Sequence, residues 1–261
     1  MSGEILMTRQ ADVATVTFSN PPKLNALTVA MWRELAAVMH RLSEDDALRC
    51  VVLRGAGTEA FAAGADIAEF ATERNTVEQG KSYHRELVFG ALRAVGECRH
   101  PTVAMIYGAC AGGGLELACQ CDLRIAGKSA RFGVPINRLG FAIAYDELAA
   151  LLPLIGRAAA LEILIEGRML GADEAYAKGL LTRVVDDDEL AAETAASVRR
   201  IADGAPLVAR WHKQFIQRLT PQPAPLSEAE INANFDYFNT DDYRIGYDAF
   251  INRQKPRFTG R

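Results

Sequence analysis

The first part of the chain alternates between short apolar segments and segments with helical spacing. Residues 5–9 and 13–18 alternate apolar and polar side chains around Ala11-Asp12, which predicts a β-hairpin. Residues 50–54 form a short apolar run closed by glycine, which predicts a buried strand. Between them, Thr28 can cap a helix. Its apolar positions recur at helical spacing: Met31, Leu35, Val38 and Leu42.

The alternation continues to about residue 185. A charged stretch at 69–80 leads into a second amphipathic pattern through Tyr83, Leu87, Ala91 and Val95. Strands are predicted at 102–107, 122–126 and 180–185, and a glycine triplet at 112–114 opens a helix between the first two. Strands and helices in alternation indicate an α/β core.

The pattern after residue 185 is helical throughout. Segments begin near Asp188, Pro206, Leu226 and Asp241, and the prolines of 221–225 form a stiff break among them. Such a tail cannot bury every face locally, so we expect it to pack on another subunit. The change from alternating strands and helices to helices alone predicts an α/β core over 1–193 and a helical oligomerisation region over 194–261. The apolar tail residues expected at the subunit interface are Val208, Trp211, Phe215, Ile216, Phe235, Tyr237 and Phe238.

Charge and hydropathy exclude two classes of partner. The 261 residues carry a net charge of −4 and contain no run of lysine or arginine, so we expect no nucleic-acid partner. The apolar region at 149–165 is interrupted by Pro153, Gly156 and charged residues, so we expect no membrane span. The first ten residues do not resemble a secretory signal.

The cysteines and histidines suggest no metal site. Five cysteines without a paired framework indicate a reducing compartment, and we therefore expect a cytoplasmic protein. Cys119-Gln120-Cys121 has no histidine nearby, so the cysteines are interpreted as small buried apolar side chains. The four histidines are scattered and are interpreted as ordinary surface or interface residues.

Two glycine motifs invite a functional interpretation. Gly55-x-Gly57-x-x-Ala60 follows a strand but lacks a helix at its third position, so a turn is favoured over a dinucleotide site. Gly112-Gly113-Gly114 opens a helix, where free N–H groups and the helix dipole stabilise negative charge. The small residues of 61–66 form a second such turn, and one donor from each turn can build an oxyanion hole.

Glu116 lies three residues after Gly113, which places its carboxyl on the same side of the helix as that N–H. From the residues alone, two interpretations stay open. Glu116 is either a catalytic carboxyl beside a bound substrate or a solvated acid in the first turn, with glycines that only permit close helix packing.

Several longer motifs resemble the enoyl-CoA hydratase/isomerase (crotonase) superfamily. They are Asn20-Pro-Pro-Lys-Leu-Asn-Ala-Leu27, Phe61-Ala-Ala-Gly-Ala-Asp-Ile67, the segment Gly-Ala-Cys-Ala-Gly-Gly-Gly-Leu-Glu-Leu-Ala118, the following Cys-Asp-Leu-Arg-Ile-Ala126, the segment from Gly167 to Leu181, and the C-terminal Asp-Tyr-Arg-Ile-Gly-Tyr-Asp-Ala-Phe250. The resemblance covers nearly the whole chain in the family's order. It implies a crotonase-like spiral of ββα units with a C-terminal helical region that trimerises, often as a dimer of trimers.

The resemblance also implies the site. The N–H groups of Ala65 and Gly113 would hold the thioester oxygen of an acyl-CoA, and Glu116 would be the catalytic glutamate that handles water. Coenzyme A is then part of the substrate, and no separate cofactor is expected. The positions that would bind the CoA and acyl parts are Lys23, Leu24, Ala26, Ala63, Asp66, Ile67, Gly112, Pro135 and Ile136.

One departure from the family pattern affects the expected reaction. Hydratases of this family carry a second glutamate in a Phe-Gly-x-Pro-Glu segment, and here that position is Ile136, which cannot transfer a proton. Tyr145, Asp146 or Glu147 are candidates for a substitute, although each is also an ordinary helix-start residue. We therefore expect a hydratase-like lyase. The alternatives are an isomerase, a decarboxylase, a thioester hydrolase, or a non-catalytic relative that binds acyl-CoA or RNA.

Overall fold

The strands of the protein form two sheets. The computed structural model describes residues 3–220 and 225–259. The larger sheet has the order β1-β2-β3-β5-β7-β10, in which only the β1–β2 hairpin is antiparallel. Its strands are β1 (Glu4–Gln10), β2 (Val13–Ser19), β3 (Cys50–Gly55), β5 (Thr102–Ile106), β7 (Leu123–Gly127) and β10 (Arg183–Val185).

The smaller sheet has the order β4-β6-β8-β9, with β9 antiparallel to β8. Its strands are β4 (Ala60–Ala62), β6 (Ala109–Ala111), β8 (Arg131–Gly133) and β9 (Leu170–Gly171). Each of the pairs β3/β4, β5/β6 and β7/β8 gives its first strand to the larger sheet and its second strand to the smaller one. Helices follow each pair, so the chain winds as successive ββα units, as predicted.

Helices surround and connect these strands. They are α1 (Val29–Glu44), α2 (Phe70–Glu73), α3 (Val77–Ser82), α4 (Phe89–Gly96), α5 (Gly113–Gln120), α6 (Tyr145–Leu161), α7 (Ala172–Ala177), α8 (Leu190–Ala202), α9 (Pro206–Leu219), α10 (Glu228–Ala233) and α11 (Asp241–Ile251). A π-helical segment, Tyr83–Val88, joins α3 to α4, and a second, Glu162–Glu166, follows α6. The 3-10 turns are Pro21–Lys23, Ile67–Glu69, Pro135–Leu139 and Asp236–Asn239.

The predicted α1 forms as its sequence pattern requires. Thr28 caps it, since its Oγ1 accepts a hydrogen bond from the Met31 N–H at 3.2 Å. Its apolar stripe and Trp32 are buried in the main core, which is built from residues of both sheets and of the helices packed against them. Trp32 is wholly buried and also reaches the site described below. The Gly55-x-Gly57 segment is a turn that leads into β4 and opens no helix, which confirms the interpretation as a turn.

The apolar segment from Tyr145 to Glu166 is long and apolar enough, by length and composition alone, to cross a membrane. Gly156 interrupts it with φ 70° and ψ 172°, values that no continuous helix adopts. The segment is therefore two helices that meet at a kink, which agrees with the interruption predicted from Pro153 and Gly156.

The helical tail forms as predicted, but part of it packs differently. The expected domain boundary at 193/194 falls inside α8, whose Leu190 and Val198 pack on the larger sheet. Phe235 and Phe238 are buried within their own chain, with Tyr237 beside them, so the expectation that they face another subunit is wrong. Of the proline-rich break, residues 221–224 lie outside the described part of the chain.

Candidate active site

Two small-residue turns face each other at the ends of β4 and β6. A Cβ on Gly64 would lie 3.6 Å from the Gly113 nitrogen, and one on Gly113 would lie 3.8 Å from the Ala65 nitrogen. Neither the Ala65 nor the Gly113 N–H donates a hydrogen bond to any residue that the structure describes. Two free backbone donors from two turns thus lie side by side, in the arrangement that an oxyanion hole requires.

The glycine triplet is required by the close approach of these turns. Gly112 has φ 50° and ψ −125°, a backbone conformation that favours glycine. A Cβ on Gly114 would lie 2.1 Å from the Ala62 carbonyl oxygen, and one on Gly113 would lie 2.9 Å from the Trp32 ring. The glycines therefore permit close helix packing and also expose a backbone donor, because the close packing of α5 brings the Gly113 N–H to the site.

The donors open into a cavity of about 420 Å³. Its walls are mostly apolar or aromatic, which suits an acyl chain. These side chains are Trp32, Ile67, Phe70, Tyr83, Val88, Pro135, Ile136, Leu139, Phe141 and Phe250. The acidic and basic side chains in its wall are Arg74, His84, Glu116, Arg138 and Glu147.

Glu116 is a buried carboxyl in this wall and is only 7% exposed. Burial raises the pKa of Glu116 well above its usual range, and the neighbouring Glu147 raises it further, against the opposing effect of Arg74. Glu116 is therefore a carboxylic acid that keeps its proton to unusually high pH. A solvated helix-start acid would show neither burial nor this shift.

Glu147 supplies the second carboxyl of the cavity. It lies in the first turn of α6, where its Oε2 accepts a hydrogen bond from the Ala144 N–H at 3.1 Å and its Oε1 pairs with His84 Nδ1. Burial acts to raise the pKa of Glu147, but His84, the Ala144 N–H and Arg74 outweigh it and lower that pKa. The two carboxyls thus have pKa values displaced in opposite directions, as in acid–base catalysis.

His84 completes this group, and its interpretation as a surface or interface residue is wrong. It is 6% exposed and lies in the π-helical segment, and burial lowers its pKa despite the attraction of Glu147. With Glu147 ionised, His84 is neutral and donates from Nδ1. Its Nε2 has no hydrogen-bond partner among the described residues. A signal was present in the sequence, since His84, Val88, Ala91 and Val95 follow one helical stripe.

The other sequence-predicted residues are distributed around the cavity. Ala63, Ala65, Ile67, Gly112, Gly113, Glu116, Pro135 and Ile136 line it. Tyr145 and Asp146, the other candidates for a second acid or base, do not; they border a small neighbouring pocket, and Tyr145 is 44% exposed. Of the three candidates at the start of α6, the structure brings only Glu147 into the cavity wall.

Lys23, Leu24, Ala26 and Asp66 lie beside the cavity rather than in its wall. The Ala63 N–H donates to the Leu24 oxygen at 3.0 Å, and Lys23 Nζ lies 2.6 Å from Asp66 Oδ2. Leu24 has φ 51° and is 45% exposed. A leucine rarely adopts this conformation, and strained backbone of this kind concentrates at functional sites.

Comparisons with known proteins identify the family. The family model for enoyl-CoA hydratase/isomerase matches residues 8–261. The chain belongs to the enoyl-CoA hydratase/isomerase family. It is 33% identical over 257 residues to the short-chain-enoyl-CoA hydratase of Clostridium acetobutylicum, an alignment that covers 96% of this chain and 95% of that protein.

Solved structures of the family show the same fold. The crystal structure of an enoyl-CoA hydratase/carnithine racemase from Magnetospirillum magneticum is 50% identical, with a TM-score of 0.82 over 98% of this chain and 96% of that one. A methylmalonyl-CoA decarboxylase complexed with 2S-carboxypropyl CoA is 26% identical, with a TM-score of 0.89 over the full length of both chains. These matches confirm the superfamily resemblance and the predicted crotonase-like fold. As a member of this family, the protein is an acyl-CoA-processing enzyme.

Proposed function

We propose that this family member hydrates an enoyl-CoA. The Ala65 and Gly113 N–H groups hold the thioester oxygen, which gains negative charge as water adds to the β-carbon. The geometry supports this role, because both donors are free of partners among the described residues and lie side by side in the wall of an apolar cavity. Donors placed where charge develops stabilise the transition state by about 3 kcal/mol each.

Proton transfer is divided between Glu116 and the His84 side chain that Glu147 holds. The raised pKa of Glu116 favours its protonated form, so Glu116 delivers a proton to the α-carbon. The neutral His84, held by the ionised Glu147, takes a proton from water through its free Nε2. The resemblance assigned the water to Glu116; the pKa directions favour the reverse division.

The observation that carries this proposal is the pairing of Glu147 with His84 in the cavity wall. Ile136 stands where the family's hydratases have a titratable glutamate, and the His84–Glu147 pair provides a replacement. A cavity with Glu116 alone would favour a reaction that needs only one acid or base.

A panel of acyl-CoA thioesters tests the reaction. The pure protein is incubated with enoyl-, dienoyl- and malonyl-type CoA thioesters, and each product is identified by mass. We expect addition of one water to an enoyl-CoA. Loss of carbon dioxide, release of free CoA, or a spectral change at constant mass would replace hydration by decarboxylation, hydrolysis or isomerisation. Binding without any product would indicate a non-catalytic relative.

Glu116→Gln tests the assignment of the acid. It retains shape and hydrogen bonding but removes the titratable proton, so binding should persist while turnover falls by about a hundredfold or more. Asp146→Asn is the matched control, because it makes the same chemical change just outside the cavity wall. Unchanged turnover in Glu116→Gln would show that Glu116 has only a structural role.

We also propose a trimer, or a dimer of trimers, in the cytoplasm. The α9 helix supports the assembly, because Val208, Trp211 and Phe215 are exposed along one of its faces. The five cysteines, all free and buried, support a reducing compartment.

A further inference from the structure

Arg74 is a buried cation that no carboxylate of the described residues neutralises by direct contact. It follows α2, lines the cavity and is 1% exposed. Within residues 3–220 and 225–259, the guanidinium donates one hydrogen bond, from Nη2 to the Tyr237 hydroxyl at 2.7 Å. Nε has no partner among the described residues. Buried arginines are normally paired, because an unpaired charge in an apolar site is costly.

Aromatic rings supply part of the missing stabilisation. The guanidinium carbon lies 4.5 Å from the centre of the Phe70 ring and 4.1 Å from that of Phe141, with Tyr83, Tyr237 and Phe238 within 5.9 Å. Ring faces attract a cation but accept none of its N–H groups in the way that a carboxylate does. The rings therefore hold the guanidinium in position and leave donor capacity unused.

In the part of the chain that the structure describes, no carboxyl of the cavity wall accepts a hydrogen bond from Arg74. Glu116 holds its proton, and Glu147 is engaged by His84 and by the Ala144 N–H. Arg138 is a second cation in the wall, and it is exposed. An anionic group on the ligand would accept the N–H groups that Arg74 leaves unused, because the planar fork of arginine fits a carboxylate with two hydrogen bonds.

We propose that the acyl group of the substrate ends in a free carboxylate, bound by Arg74. The substrate class is then a half-thioester of a dicarboxylic acid with CoA. This inference rests on the proposed function, since it assumes that the cavity holds an acyl-CoA. It adds Arg74 as a specificity-determining residue to the groups that the proposed hydration already uses, which are the oxyanion donors, Glu116 and the His84–Glu147 pair.

Calorimetric binding tests the inference on the wild-type protein. Malonyl-, succinyl-, glutaryl- and adipyl-CoA are each compared with the corresponding neutral monoamide. Because a charge-assisted pair is stronger than a neutral one, we expect about a ten- to hundredfold preference for the carboxylate at the chain length that reaches Arg74. Equal affinities in every pair would overturn the inference. Failure of every thioester to bind would instead overturn the proposed function.

Arg74→Met identifies the residue responsible. The variant should lose the preference for the carboxylate and bind the monoamides as the wild type does. Arg138→Met, which removes the exposed cation of the same wall, should retain the preference. If Arg74 has only a structural role, Arg74→Met should instead have a lower unfolding temperature. It should then bind the carboxylate thioesters and their monoamides more weakly by the same factor. If Arg74→Met does not fold, Arg74→Gln provides the same comparison, and the wild-type acid–amide pairs decide the inference independently.

Discussion

At the residue scale, the site depends on what surrounds three ionisable side chains. Glu116 and Glu147 are both buried in one cavity, yet their pKa values are displaced in opposite directions. Burial and Glu147 raise the pKa of Glu116, whereas His84 and the Ala144 N–H lower that of Glu147. The spacing of Glu116 to Gly113 left a catalytic and a solvated carboxyl as alternatives, and only the family resemblance favoured the catalytic role. Arg74 was not predictable from the sequence, because it lies in a charged stretch and is buried by aromatic residues more than sixty positions away, such as Phe141 and Tyr237.

The pKa of Glu116 predicts a pH-dependent stability. Because burial raises this pKa above the ordinary glutamate value of 4.5, the folded protein keeps a proton that the unfolded chain releases. The protonated Glu116 therefore contributes to the free energy of unfolding fully below pH 4.5, and this contribution is lost as the pH rises through the folded-state pKa. Glu116→Gln should therefore be more stable than the wild type above pH 4.5, by a margin that grows with pH, as measured by urea unfolding. Glu59→Gln, which makes the same chemical change at an exposed glutamate, serves as the control, and a margin independent of pH in Glu116→Gln would contradict the assignment.

At the element scale, sequence patterns predicted the long elements and failed for the short ones. The hairpin, α1, β3, β5 and the start of α5 lie close to their expected positions because each has a clear apolar period or a cap. The smaller sheet was not predicted. Its strands have two or three residues, too few to show alternation, and they pair only because the ββα units bring them together.

The packing of α5 predicts that Gly114 tolerates no side chain. A Cβ there would meet the Ala62 carbonyl oxygen at 2.1 Å, so Gly114→Ala must move α5 away from β4. We expect a loss of about 1–3 kcal/mol in unfolding free energy and reduced acyl-CoA affinity, because the Gly113 N–H moves with the helix.

Gly90→Ala is the matched control for this change. Gly90 lies within α4, and a Cβ there meets nothing within 4 Å. This variant should gain up to about 1 kcal/mol from improved helix propensity, with affinity unchanged. Equal effects of the two substitutions would show that the approach of α5 to β4 is not tight.

At the scale of the whole molecule, the helical tail has two roles that its sequence did not separate. Phe235 and Phe238 pack beside the site of their own chain, and Phe250 lines the cavity. The exposed apolar face of α9 lies elsewhere on the chain. Apolar residues recur throughout the tail, and the pattern alone does not show which of them meet their own core and which are left for another subunit.

The exposed face of α9 predicts the assembly. Trp211 is 50% exposed and Phe215 56% exposed, one helical turn apart. We expect light scattering to give three subunits, or a multiple of three, at micromolar concentration. Trp211→Glu combined with Phe215→Glu should reduce this mass to one subunit, whereas Tyr176→Glu, at an exposed aromatic on α7, should not. A monomeric wild type would contradict the prediction.

The proposed hydration requires that a thioester enolate forms in this cavity and that Glu116 exchanges a proton with the α-carbon. Deuterium uptake tests it most directly: a saturated thioester, hexanoyl- or glutaryl-CoA, is incubated with the protein in D₂O, and label at the α-carbon is followed by mass. The wild type should exchange this hydrogen, and Glu116→Gln should do so about a hundredfold more slowly while still binding the thioester. Equal exchange by both proteins, or none by a wild type that binds the thioester, would contradict the account.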